Sequence, residues 1–153
     1  MVIELVTKQD VVRIAEMYSK LYSHVWKRPN NVRKKEKLIN YIEIRLKRKN
    51  YFIYKATVRN KIIGTISSKR LSSKKGFITD AYVEPDPRRK RILRKLEKYA
   101  LVELKNQGVG IVELNVKSNN DEGRSTWNVL GYKLNKRIPG KKADKLIMIK
   151  ELR

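Results

Sequence analysis

The 153-residue sequence contains no cysteine. Disulfides, thiolate metal sites and cysteine nucleophiles are excluded with it. There is one histidine, His24, so no multi-histidine site can form and no metal is expected. No run of about 18 apolar residues occurs, and no membrane span is expected. The opening residues, MVIELVTKQD, lack the basic start and apolar middle of a signal peptide. A cytoplasmic protein is the simplest expectation. Acidic residues are scarce as well: 15 Asp and Glu stand against 38 Lys and Arg, a formal net charge of +23.

Folding gives no reason for that excess, because like charges repel in the compact state. A lysine-rich bias of the hyperthermophile kind raises Glu together with Lys, and here Glu does not keep pace. The charge therefore points to a polyanionic partner such as DNA or RNA. Apolar residues make up 41% of the chain, enough for one core, and the length fits one domain over residues 1–153.

Periodicity divides the chain into alternating elements. Val2 to Val6 reads as a strand, and Thr7 with Asp10 as a capping box. Val11, Ile14, Ala15, Tyr18, Leu21 and Tyr22 then recur at helical spacing. Lys27 to Asn31 is a break, and a second helix carries Leu38, Ile39, Ile42 and Leu46 on one face. Tyr51–Val58 and Ile62–Ser68 form a hairpin turning at Arg59-Asn60-Lys61, followed by a strand over Phe77–Val83. Arg88–Asn106 is a long amphipathic helix with Ile92, Leu93, Leu96, Ala100 and Leu104 inward. A strand over Ile111–Val116, a short helix over Asp121–Leu130, and strands over Tyr132–Ile138 and Lys145–Leu152 complete the chain. The order is β-α-α-β-β-β-α-β-α-β-β. It predicts an α+β or α/β domain with a mixed, mostly antiparallel central sheet and helices on both faces.

Two segments carry a family resemblance. Tyr82-Val83-Glu84-Pro85-Asp86-Pro87-Arg88-Arg89-Lys90-Arg91-Ile92-Leu93, then Leu96, resembles the V-x-P-x-x-R-x-x-G-x-G strand-to-helix passage of the GNAT N-acetyltransferase superfamily. Asn120 to Tyr132, ending Trp127-Asn128-Val129-Leu130-Gly131-Tyr132, resembles that family's N-x-x-A-x-x-x-Y-x-x-x-G-F segment. With the element order, the resemblance spans roughly residues 50–150. It implies a GNAT fold, acetyl-CoA as cofactor, and cofactor contacts at Tyr82, Val83, Arg88, Arg89, Lys90, Arg91, Ile92, Leu93 and Asn120.

The sequence departs from the family at two places. Arg89, Arg91 and Leu93 stand at the glycine positions of the loop that wraps the CoA pyrophosphate. Glycines there let backbone N–H groups approach the phosphates, so these side chains are expected to crowd that space. Four successive cations at a helix start also oppose the macrodipole, which an anion bound there would relieve. Trp127 stands where the family commonly has a tyrosine that protonates the departing thiolate. An indole N–H donates a hydrogen bond but not a proton, and the residue also suits core packing. Some members of the family do without this tyrosine. Tyr82, Tyr132 and Tyr51 are the substitutes, with no choice among them.

An acceptor amine needs a base. Asp80 and Glu84 flank the strand end before the cofactor loop, and alternation puts them on one face with Tyr82 between. Either can act through water, and either can equally serve as partner to the nearby cations. The remaining charge lies in three clusters. Lys34, Lys37, Arg45 and Arg48 share a face of the second helix with Tyr41, extended by Lys27, Arg28, Arg33 and Lys35. Arg91, Arg94, Lys95, Lys98 and Lys105 lie opposite the apolar stripe of the long helix. Lys136, Arg137, Lys141 and Lys142 bracket Pro139-Gly140. Such stripes suit phosphate contacts without base reading.

The main expectation is a GNAT-fold protein with weakened or lost acetyl transfer that binds nucleic acid, DNA before RNA, through this surface. The alternative is an active acetyl-CoA-dependent N-acetyltransferase acting on a protein or nucleic-acid-associated amine. A third reading docks a partner protein on the basic face, and a homodimer is left open.

Overall fold

The computed structural model describes residues 1–25 and 32–153, without the side chains of 24, 25 and 32–34. The expected break at Lys27–Asn31, the lone His24, and the Arg33 and Lys34 side chains lie outside the described residues. One sheet has the strand order β1-β2-β3-β4-β5-β7-β6. Its strands are β1 (Val2–Leu5), β2 (Tyr51–Val58), β3 (Lys61–Arg70), β4 (Lys75–Val83), β5 (Ile111–Lys117), β6 (Lys133–Ile138) and β7 (Lys145–Glu151). Every neighbouring pair is antiparallel except β4 and β5. Helices α1 (Val11–Val25) and α2 (Val32–Leu46) cover one face, and α3 (Arg89–Asn106) and α4 (Asp121–Val129) the other. The expected element order is the observed one.

Local chemistry explains most boundaries. Asp10 accepts from the Thr7 amide at 2.8 Å and the Thr7 hydroxyl at 3.0 Å, which fixes the entry to α1. Lys55 adds an ion pair to the same carboxylate at 2.7 Å. The β2–β3 hairpin turns on two residues, Arg59 and Asn60, with φ of 50° and 63°. Positive φ at both positions is a twist-matched two-residue turn, so Lys61 pairs within β3 and is not part of the turn. Ile14, Ala15, Met17 and Tyr18 of α1 are fully buried, as is Ile42 of α2. On the opposite face Ile92, Leu96, Ala100 and Leu104 of α3 are buried, as their spacing requires. At Gly64 a Cβ would lie 3.1 Å from Leu96 and 3.2 Å from Val83, so a larger residue would push these side chains and α3 slightly outward.

Two irregularities in β4 shape the site. Its parallel pairing with β5 covers only Lys75–Phe77 against Ile111–Glu113, and beyond that the two strands separate. Opposite β3, Ser67 pairs with Thr79 but Thr65 with Tyr82, so one extra residue is inserted in β4. Asp80, inside this bulge, has φ of 50°, a conformation that non-glycine residues seldom adopt. The bulge reverses the side-chain alternation. Ile78 and Val83 both reach the α3-side core although five positions separate them.

One buried charge was not legible in the pattern. Glu97 of α3 is only 4% exposed. Lys150 of β7 donates to both its oxygens at 3.3 Å and to the Leu130 carbonyl at 2.7 Å. Burial raises the Glu97 carboxyl above the usual range, with the Lys150 charge opposing.

Candidate active site

Asp80 is half-buried between the sheet and the first two helices. The Tyr22 hydroxyl donates to one oxygen at 2.7 Å and the Tyr41 hydroxyl to the other at 3.2 Å. Tyr18 lies behind them, its hydroxyl 2.5 Å from Ser67 Oγ and its ring 6.1 Å from Tyr22 and 6.3 Å from Tyr41. Among the described residues the carboxylate bonds phenols and no cation, although the charges of Arg45 and Lys69 act on it from farther off. Burial lifts it above the usual aspartate range, and the two tyrosine hydrogen bonds offset only part of that shift.

Glu84 has the opposite environment. Lys20 lies 2.8 Å from one oxygen and Arg13 3.3 Å from the same atom, and Tyr82 donates to the other at 3.4 Å. Burial pushes this carboxyl up, but the Lys20 and Arg13 contacts outweigh it and hold it below the usual range. Asp80, Tyr82 and Glu84 do share one face. The structure separates their surroundings: Glu84 is an ion-paired anchor between β4 and α1, whereas Asp80 is held by two phenols with its carboxyl raised above the usual range.

Arg45 also belongs to this cluster, which corrects its expected place in a solvent-facing basic stripe. Its guanidinium stacks 3.3 Å from the Tyr41 ring centroid and 5.6 Å from that of Tyr51, and it donates to the Tyr41 carbonyl at 3.2 Å. Cation–π stacking on two rings turns it inward. Arg48 stands past the end of α2 at Leu46, so the helical face it was expected to extend ends before it. Lys37 is exposed.

On the other side of the β4–β5 separation, α3 begins without a side-chain cap and without an acidic residue in its first turn. The Arg89 amide bonds the Asp86 carbonyl at 3.0 Å, and the Ile92 amide the Arg88 carbonyl at 2.9 Å. The amides between them, of Lys90 and Arg91, meet no acceptor among the described residues. Asp86 folds the preceding turn by accepting from the Arg88 amide at 2.8 Å and the Arg88 guanidinium at 3.0 Å. Val83 and Ile92 are buried in the core beneath this turn.

The three side chains at the glycine positions go different ways and do not close over the loop together. Leu93 packs against the core, because helical periodicity places it one residue from Ile92 on the inner face. Arg91 is exposed. Arg89 reaches toward α4, with Glu122 at 4.0 Å. Asn120 caps α4 by accepting from the Gly123 amide at 2.9 Å. Trp127 is half-buried, packs against the α3-side core, and meets the Tyr132 ring edge-on at 5.5 Å. Tyr132 is fully buried, with the Glu97 carboxylate as the polar neighbour of its hydroxyl. Replacing Trp127 with Phe should therefore lower stability by about 1–2 kcal/mol and leave turnover per folded molecule nearly unchanged. Thermal melts beside initial rates separate the two effects.

Sequence reading missed Tyr22 and the inward use of Tyr41 and Arg45. The only signal for them was the abundance of tyrosine on helix faces otherwise read as core or basic. A seven-stranded, mostly antiparallel sheet that splits between its two parallel strands, with two helices on each face, is the architecture of an acetyltransferase fold. The chain belongs to the acetyltransferase (GNAT) family, which it matches over residues 11–132. No curated protein sequence matches it. Among solved structures, it is similar to yncA, a putative acetyltransferase from Salmonella typhimurium with its cofactor acetyl-CoA, at 20% identity and TM-score 0.80, covering 100% of this chain and 94% of that one. It is similar to smu.2055 from Streptococcus mutans UA159 at 25% identity and TM-score 0.80, with 100% of both chains covered. It is also similar to ribosomal-protein-alanine N-acetyltransferase from Brucella melitensis at 16% identity and TM-score 0.80, covering 99% of this chain and 100% of that one.

Proposed function

We propose that this chain is an active acetyl-CoA-dependent N-acetyltransferase in which Asp80 serves as the base. The observation that carries this reading is Asp80 itself. A bulge turns it out of regular strand geometry, beside the separation of β4 from β5, and its hydrogen-bond partners are hydroxyls, with no ion pair at contact distance among the described residues. Family membership and the fold shared with acetyltransferases support the same reading. Loss of transfer rested on Trp127 and on crowding by the loop side chains. With Leu93 in the core and Arg91 in solvent, the second of these grounds weakens.

The residues present fit an anionic cofactor. The free amides of Lys90 and Arg91, the positive end of α3 and the side chain of Arg89 suit a pyrophosphate. When bound, acetyl-CoA supplies the acetyl group and a thiolate leaving group. Asp80 accepts the proton that the acceptor nitrogen loses, directly or through a water, and Tyr22 and Tyr41 hold the carboxylate in place. Glu84, tied to Lys20 and Arg13, fixes α1 against the end of β4.

The test is thiol release from acetyl-CoA by the full chain across primary amines: N-terminal peptides, lysine peptides and aminoglycosides. Saturable release with at least one class is the expected result. Absence of release from every class, together with absence of acetyl-CoA binding by calorimetry, would overturn the reading.

A further inference from the structure

The strongest unexplained charge lies on the outer face of α3. Arg91, Arg94, Lys95 and Lys98 are all exposed on that face, and among the described residues none has a carboxylate within ion-pair distance. Lys105 continues the row two turns on and bonds the Arg153 carbonyl. The two acids of α3 are kept off this row. Glu97 is buried against Lys150, and Glu103 accepts from the Gln107 side chain at 3.0 Å. Cations at i, i+3 and i, i+4 repel, and those in the first turn oppose the helix dipole as well. Among the described residues only Glu97, whose carboxyl feels the Arg94 charge, offsets part of this cost.

Beside the row, between α3 and the end of β7, runs a groove of about 370 Å³. Arg94, Lys98, Lys105 and Arg153 outnumber the two acids, Glu97 and Glu151, along its wall, over a partly apolar floor that includes Leu101 and Leu152. Other uncompensated cations stand elsewhere: Lys136, Lys141 and Lys142 are exposed around the β6–β7 hairpin, while Arg137 is paired with Asp144 at 2.9 Å. They add to a field that draws a polyanion from a distance.

We infer that the outer face of α3 is a docking surface for the phosphate backbone of a nucleic acid. A continuous file of cations with no acid between them matches a partner bearing one charge at every residue. An acidic protein, which mixes carboxylates with other groups, would be met by a patterned surface instead. The file lacks any element suited to read base edges, so the contact positions without specifying sequence. It lies across the sheet from Asp80, so a bound strand leaves the acceptor side open. The inference does not depend on acetyl transfer.

The test uses the full chain with two unrelated DNA duplexes and one single-stranded RNA, labelled and titrated in a salt series. With about four phosphates neutralised, the log–log salt slope on duplex should be about −3.6, or about 150-fold weaker binding from about 50 to about 200 mM salt. The two duplexes should differ far less than that. Arg94→Gln/Lys95→Gln/Lys98→Gln should lose at least tenfold in affinity and lower the slope by between about 2 and 3. Because it removes repulsion, it should melt no lower than the parent. The control Lys136→Gln/Lys141→Gln/Lys142→Gln should keep most of the affinity. No binding at about 50 mM salt, an unchanged slope in the α3 variant, or equal binding of polyglutamate or of phosphatidylserine vesicles overturns the inference.

Discussion

Replacing Asp80 with Asn should lower kcat/KM by about 100-fold or more, the usual contribution of a positioned general base, while the protein should melt at the same temperature or higher. The two halves of this result have one cause. Burial raises the folded-state pKa of Asp80 above its unfolded value. A carboxyl raised in this way contributes stability that is full below the unfolded pKa of about 3.9 and is lost as pH rises through the folded pKa. At neutral pH the ionised group is therefore a net cost to the fold, and Asn removes that cost. In the parent, the acidic limb of kcat/KM should lie above the ordinary carboxylate range, and in Asp80→Asn that limb should vanish. Glu84→Gln should behave differently, because Glu84 is held low by Lys20 and Arg13. It should lose stability at neutral pH and keep the limb. A full-rate Asp80→Asn enzyme, or a limb that moves with Glu84, would reassign the base.

The largest stability effect is expected at Lys150. Lys150→Met leaves Glu97 buried without its cation, and truncating one member of such a pair typically costs several kcal/mol. Because the Lys150 side chain is 25% exposed, the lower end, about 3 kcal/mol, is the fitting figure. That corresponds to a fall in melting temperature of between about 6 and 12 °C for a domain of this size. The sign with pH follows from Glu97. Its folded pKa is already raised by burial, and losing Lys150 raises it further. The defect should therefore shrink as pH falls and Glu97 protonates, and be full at neutral pH. Glu97→Gln on the Lys150→Met background should recover a large part of the loss. Urea melts of the two single variants and the double variant, at pH 5 and 7.5, measure the coupling. An additive double variant would show that the two side chains do not depend on each other.

Periodicity and turn chemistry determined the element order and most boundaries by themselves. The stripes of α1 and α3, the Thr7–Asp10 box and the Arg59–Asn60 turn are local, and local signals survive in one dimension. The two motifs likewise placed the β4–α3 passage and the α4 segment, including the Trp127 departure, because their spacing is contained within single strand-turn-helix units. The sign and size of the charge were equally plain. Tertiary structure alone decided which charges are used inside. Arg45 and Lys37 share a helical face in sequence, yet Arg45 is drawn onto Tyr41 and Tyr51 while Lys37 stays in solvent. Glu97 reads as one more charge on a basic helix, and only the arrival of Lys150 from a strand 53 residues away makes its burial tolerable. Asp80 and Glu84 look equivalent in the chain. They become base candidate and anchor only when Tyr22 and Tyr41 reach one and Lys20 and Arg13 the other. A carboxylate's pKa is set by what lies within a few ångströms of it, and those neighbours come from elements that sequence spacing does not relate.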